Sequence, residues 1–310
     1  MITRTDVDEA AARIAGLVRR TPVMAADQGS FPGDVWLKCE FMQHTGTFKA
    51  RGAFNRVLAC RERGELKEDV GIVVASGGNA GLANAYAAAQ AGVPAAVFVP
   101  ETAPAMKVKK LKESGASVIQ RGAEYAVAYD AAIAYAAETG AVYCHAYDQP
   151  EIAAGAGTVG SELLEQLGAV DTVLVAVGGG GLMAGIAAAV EGLATVVGVE
   201  PATAPTLHAA LEAGAPVDVA VAGVAADSLG ARRIGQIGFE VAVRTGVKSV
   251  LVSDDEIVAA RSLLWADYRM VVEHGAAAAY AALTSGAYVP AEGERVAVIL
   301  CGANTDPSTL

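Results

Sequence analysis

The strongest constraint on this chain is a rhythm in which a short apolar run meets a turn and then an alanine-rich helical stretch. Ile72 to Ala75, Ala95 to Val99, Ser117 to Ile119 and Ala141 to Tyr143 carry it through the first half. It restarts at Thr172 to Val177, continues at Thr195 to Val199 and closes at Val296 to Leu300. A strand apolar along its whole length must be covered on both faces, and helical connections between such strands make them parallel. The expected fold is α/β, with two doubly wound domains whose sheets are largely parallel. Before this rhythm begins, Val7, Ala11, Ile14 and Val18 recur at helical spacing, with Thr5 and Asp8 as a capping pair. Val35 to Phe41 then alternates, which places Val35, Leu37, Cys39 and Phe41 inward and Trp36, Lys38 and Glu40 outward.

Composition narrows the function classes. With 53% hydrophobic residues the chain can bury a large core, and its net charge of −11 comes without a cluster of Lys and Arg. Phosphate backbones need a localised positive field, so no nucleic acid partner is expected. The best basic run, Lys107 to Lys112, reads as the solvated face of one helix. The first residues include acids and no apolar leader core, and no apolar stretch is long enough for a membrane span, so a soluble, cytoplasmic protein is expected. Cys39, Cys60, Cys144 and Cys301 stand far apart with no metal spacing and are expected to be reduced.

In such sheets ligands bind outside the carboxyl ends of the strands, so the turns there are read for chemistry. Ser76-Gly77-Gly78-Asn79-Ala80-Gly81 leads from one strand into a helix; it is either a carboxylate or phosphate site or an asparagine cap on a glycine turn. Gly178-Gly179-Gly180-Gly181-Leu182 follows another, and four glycines in a row make sense where backbone wraps a phosphate at a helix start. Cys301-Gly302-Ala303-Asn304 puts a thiol at a third strand end, a feature equally compatible with inert packing. Upstream, Phe48-Lys49-Ala50-Arg51-Gly52 places a lysine in the first turn of a helix, where the dipole lowers its pKa toward that of a nucleophilic amine.

Together, and in this order, these segments resemble the fold-type II pyridoxal-phosphate enzymes. Within them the likeness is to the serine/threonine dehydratase (ammonia-lyase) family, and to its serine dehydratase branch through Ser228-Leu229-Gly230-Ala231-Arg232-Arg233 and Cys301. The resemblance implies a large cofactor domain from residues 1–50 and 145–310 and a small domain, 51–144, carrying the asparagine loop. Lys49 would hold pyridoxal 5'-phosphate covalently and then take the α-proton of an amino-acid substrate. Phe48 and Ala225 would sandwich the ring, Asn79 would bind its O3′, and Cys301 would face the pyridine nitrogen. Gly178, Gly179, Gly180, Gly181 and Leu182 would hold the phosphate. With no cationic side chain in that loop, the phosphate could keep a proton for the departing hydroxyl. Ser76, Gly77, Gly78 and Asn79 would grip the substrate carboxylate.

The implied reaction is elimination of water from L-serine or L-threonine, giving pyruvate or 2-oxobutyrate and ammonia. Gly77 stands where related serine racemases carry a second serine, which favours dehydration over racemisation. Glu200, Ala204 and Thr206 resemble the family's cation loop, with Thr206 in place of an aspartate, so a monovalent ion such as potassium is expected there; a surface glutamate is the other reading. A homodimer is the family expectation, and no regulatory domain is expected after Asn304. The nearest alternative is a β-replacement synthase of the cysteine synthase kind. More distant are a nicotinamide oxidoreductase, which leaves Lys49 unexplained, and a non-catalytic small-molecule sensor. His44, His145, His208 and His274 show no zinc spacing and read as structural or solvent-facing.

Overall fold

A computed structural model describes residues 1–309. Two sheets organise it. The smaller has the order β5 (Ser117–Gln120), β4 (Ala95–Val99), β3 (Ile72–Ala75) and β6 (Val142–Tyr143), all parallel. The larger has the order β1 (Val23–Ala25), β2 (Asp34–Lys38), β10 (Arg295–Ile299), β7 (Thr172–Ala176), β8 (Thr195–Pro201) and β9 (Lys248–Val252). Only the edge pair β1 and β2 is antiparallel. The expected α/β fold with two largely parallel sheets is what the chain adopts. β1 and β9 are additions that the sequence reading did not anticipate; β1 has three residues, and β9 is only partly buried except at Val252.

The apolar runs are explained by their two covered faces. In the small sheet Ile72, Val74, Val97 and Val99 enter one core with Phe54 and Val57, while Val73, Ala75, Ala96 and Phe98 enter another with Ala132. Helices α2 (Lys49–Glu62), α3 (Asn79–Ala91) and α4 (Ala105–Glu113) serve the first, and α5 (Tyr125–Thr139) serves the second. In the large sheet α6 (Pro150–Leu167) and α7 (Gly181–Ala189) cover one side with α1 (Arg4–Arg13), while α10 (Asp254–Tyr268) and α11 (His274–Thr284) pack together on the sheet as well. The junction expected between residues 50 and 51 falls inside α2, which packs on both α3 and α6. Among the described residues no helix is long and apolar enough to cross a membrane. All four cysteines are free and buried.

Two local expectations are corrected. Helix α1 is capped by Thr3, whose amide donates to the Asp6 carboxylate at 2.7 Å, two residues before the expected Thr5 and Asp8 pair. Lys38 and Glu40, assigned to the outward face, are both fully buried. Their charges are met inside. Arg51 of α2 donates Nε to Glu40 Oε2 at 2.9 Å and Nη2 to Glu40 Oε1 at 2.7 Å, and Nη2 also reaches Glu162 of α6 at 3.0 Å. Lys38 Nζ donates to Glu162 at 2.5 Å, to Gln166 at 2.8 Å and to the Thr21 carbonyl at 2.9 Å. Alternation alone cannot reveal that an inward lysine has two acceptors waiting on a helix 124 residues later.

Removing one partner of such a cluster strands a buried charge, at a cost of about 3–5 kcal/mol. Arg51→Ala is therefore expected to lower stability by about that amount in urea titrations. Arg20→Ala, which breaks only the exposed pair with Glu165, is expected to leave the midpoint essentially in place.

Candidate active site

A cleft of about 770 Å³ lies between the carboxyl ends of the two sheets, and residues from both line it. Its walls contain the residues expected to hold the cofactor and the substrate carboxylate, Ala225 excepted. Phe48 and Lys49 come from the start of α2, Ser76, Gly77 and Gly78 from the turn after β3, and Asn79 from the first residue of α3. Gly178, Gly179 and Gly180 follow β7, with Gly181 and Leu182 opening α7, and Cys301 follows β10. The Lys49 segment is stitched to the end of β10, because Phe48 N donates to the Cys301 carbonyl at 3.1 Å and Thr47 bridges Gly302.

Lys49 Nζ donates to the Ala146 carbonyl at 3.1 Å and lies 4.9 Å from the centre of the Phe48 ring. Its pKa is lowered, chiefly by burial, against the opposing pull of Cys301 and Glu273. The direction is the expected one, but its cause is desolvation rather than the helix start. The Cys301 thiol is pushed well above its ordinary range by burial and by the Glu273 charge, so it is a neutral group.

The glycine run is a close approach of backbone to its surroundings. Gly180 has φ of +85°, a left-handed conformation that side chains resist. A Cβ on Gly179 would stand 2.3 Å from the Tyr147 ring, so even the smallest side chain would displace that ring. The amides here sit at the head of α7, as those of Gly77 and Gly78 sit at the head of α3, and both helix ends attract anions.

Some assignments land differently. Ala225 is buried in the core behind the cleft, and Ala226 is the alanine on its wall. Glu200 is fully buried and is no surface residue: its Oε1 accepts from Leu207 N at 2.7 Å and Thr206 Oγ1 at 3.0 Å, and its Oε2 from His208 N at 2.9 Å. These contacts seat the first turn of α8 (Thr206–Ala213), and they leave the carboxylate about one further lone-pair direction. Thr206 Oγ1 also lies against the Gly178 carbonyl, which ties this helix to the glycine loop. Ala204 is buried beside them, its carbonyl accepting from Thr206 N at 3.1 Å. Among the described residues no group of three or more His, Cys, Asp or Glu is placed to hold a metal ion.

Among the wall residues that were not anticipated, three bear on the chemistry. His145 belongs to the cleft, where its Nδ1 accepts from the amides of Tyr147 and Asp148 at 3.1 and 2.9 Å. Tyr147 covers the glycine run, and its phenol is pushed up to about 12 by burial. Glu273, immediately before α11, is buried with its carboxylate 3.0 Å from the Asn79 amide nitrogen. An acid before an alanine-rich helix reads as a helix-start residue, and nothing local betrays a partner 194 positions away. At the mouth, Lys107 of α4 pairs with Asp227 from the opposite wall.

Comparison with known proteins agrees with this geometry. Residues 14–302 match the family described as "Pyridoxal-phosphate dependent enzyme". Phenylserine dehydratase of Ralstonia pickettii is 39% identical over 305 residues, covering 96% of this chain and 92% of the relative. L-threonine ammonia-lyase of Thermotoga maritima is 35% identical over 99% of this chain and 76% of its own length. The solved structure of maize serine racemase superposes with a TM-score of 0.91 at 31% identity, covering 99% of this chain and 95% of that one. The chain belongs to the pyridoxal-phosphate dependent enzyme family.

Proposed function

We propose that this enzyme removes water from a β-hydroxy amino acid, L-serine or L-threonine, giving pyruvate or 2-oxobutyrate and ammonia. The carrying observation is a half-buried lysine amine, its basicity lowered by desolvation, at one wall of a cleft whose other walls are two glycine-bordered helix starts. The names of the dehydratase and ammonia-lyase relatives support the reaction class.

The residues present fit the cofactor: an amine for its aldehyde, backbone amides in a cradle closed to side chains for its phosphate, and Phe48 for its ring. Bound there, pyridoxal phosphate supplies an electron sink at the substrate α-carbon. The chain supplies the rest. Lys49 Nζ, kept from full basicity by burial, is the group that holds the cofactor and takes the α-proton. The amides of Gly77 to Asn79, with the Ser76 hydroxyl, orient the substrate carboxylate at the positive end of α3. Gly178 to Gly181, with Leu182 beside them, hold the phosphate at the head of α7. Cys301, as a neutral thiol, offers only a weak partner to the ring, a setting that favours prompt loss of the β-hydroxyl. A monovalent cation such as potassium at Glu200, Ala204 and Thr206 belongs to the same proposal, supported by the single carboxylate there. So do a homodimer and a cytoplasmic location.

Borohydride reduction of the loaded enzyme is expected to leave the cofactor on the Lys49 peptide, read by mass spectrometry. Lys49→Ala is expected to lose that label and to slow keto-acid release by about 100- to 10,000-fold. Label on a different lysine would remove Lys49 from its role, and product that forms only with added sulfide would make the protein a β-replacement synthase.

Gly77 separates elimination from racemisation in this reading. A Cβ built there meets only Val99 Cγ1, at 3.4 Å, so a serine can be accommodated. Gly77→Ser is expected to fold, to retain dehydration and to gain formation of D-serine from L-serine. Wild-type enzyme that already racemises serine as fast as it dehydrates it would defeat the assignment.

A further inference from the structure

We propose that Glu273 is a positioning residue that sets the orientation of the Asn79 amide toward the cofactor. The inference rests on the reading that Asn79 faces the bound cofactor. Asn79 Nδ2 lies 3.0 Å from Glu273 Oε1 and 3.0 Å from Oε2, so one N–H aimed between the two oxygens satisfies both distances. On its other side Asn79 Oδ1 accepts from Asn304 Nδ2 at 2.8 Å, and Asn304 Nδ2 also donates to the Thr45 carbonyl at 2.9 Å.

The direction of this chain is forced from its Thr45 end. A backbone carbonyl can only accept, so Asn304 must turn Nδ2 toward Thr45 and Asn79 Oδ1, and the two amides have one consistent arrangement. Nδ2 of Asn79 must face Glu273, and because it carries two hydrogens, one is left over. Asn79 lines the cleft, and that second N–H is the one available to a group bound there. Without Glu273 the amide is held only from its oxygen side by Asn304, and Nδ2 loses the acceptor that aims its N–H groups.

The surroundings are built to hold both ends. Glu273 N donates to the Gly302 carbonyl at 3.0 Å, and a Cβ on Gly302 would stand 2.5 Å from Glu273 Oε1, so the carboxylate occupies space that only glycine leaves free. Gly275 N at the start of α11 donates to Ser228 Oγ at 3.0 Å, which fixes the helix that carries Glu273. At the far end Thr45 has φ of +63°, a left-handed conformation uncommon for a β-branched residue, and its carbonyl is the second terminal acceptor.

The test is a double-mutant cycle on the loaded enzyme, reading the dissociation constant of pyridoxal phosphate and its visible absorbance band beside turnover. Glu273→Ala is expected to weaken cofactor binding by about 5- to 100-fold, the loss that follows from unpairing a buried donor. Glu273→Gln, whose side-chain oxygen can accept the same N–H, is expected to recover most of that loss and the wild-type band. In an Asn79→Ala background, Glu273→Ala is expected to add almost nothing. Losses that multiply, or a glutamine variant as impaired as the alanine one, would overturn the inference. Wild-type enzyme that binds the cofactor but releases no keto acid would instead overturn the dehydratase reading, while the cycle would still be read from cofactor affinity.

Discussion

The guanidinium of Arg51 is buried between Glu40 and Glu162, two residues beyond the lysine on which the proposed chemistry depends. Helix α2 therefore cannot slide or rotate without stranding a charge in the core. The same cluster takes in Lys38 at the end of β2, so the strand that neighbours β10 is locked to the helix that starts with Lys49. The role proposed for the Lys49 amine needs a fixed approach to its target, and here the fixing is done by ion pairs of which only the Glu162 edge is partly open to solvent. The cost of burying Lys38, Glu40 and Arg51 is offset only because nearly every hydrogen-bonding position is used.

From that anchor the cleft assembles by topology. Parallel strands send their carboxyl ends the same way, so the turns after β3, β7 and β10 meet although they lie far apart in the chain. Two of them hand over directly to helices, and each helix start presents unpaired amides with little side-chain bulk in front of them. The proposed division of labour between two anions, a carboxylate and a phosphate, rests on having two such ends on opposite sheets with an amine between.

Much of this was legible in the residues. Continuous apolar runs separated by helical stretches announced parallel sheets, and the adjacent glycines at two strand ends marked turns that do line the cleft, because both signals are local in sequence. What escaped was everything set by distant packing. Lys38 and Glu40 alternate like surface residues and are interior ones, since their partners Glu162 and Arg51 belong to other elements. Glu273 looks like a helix-start acid until the fold brings it against Asn79. Ala225 and Ala226 cannot be told apart in a loop whose facing direction depends on neighbours the sequence does not name.

The buried thiol at the end of β10 has a consequence for durability. Only the thiolate attacks peroxides and disulfides, and burial together with the nearby Glu273 charge keeps Cys301 in the protonated form. A sulfur atom in the heart of the cleft is thus chemically quiet, and oxidative stress in the surrounding medium will find little to modify there.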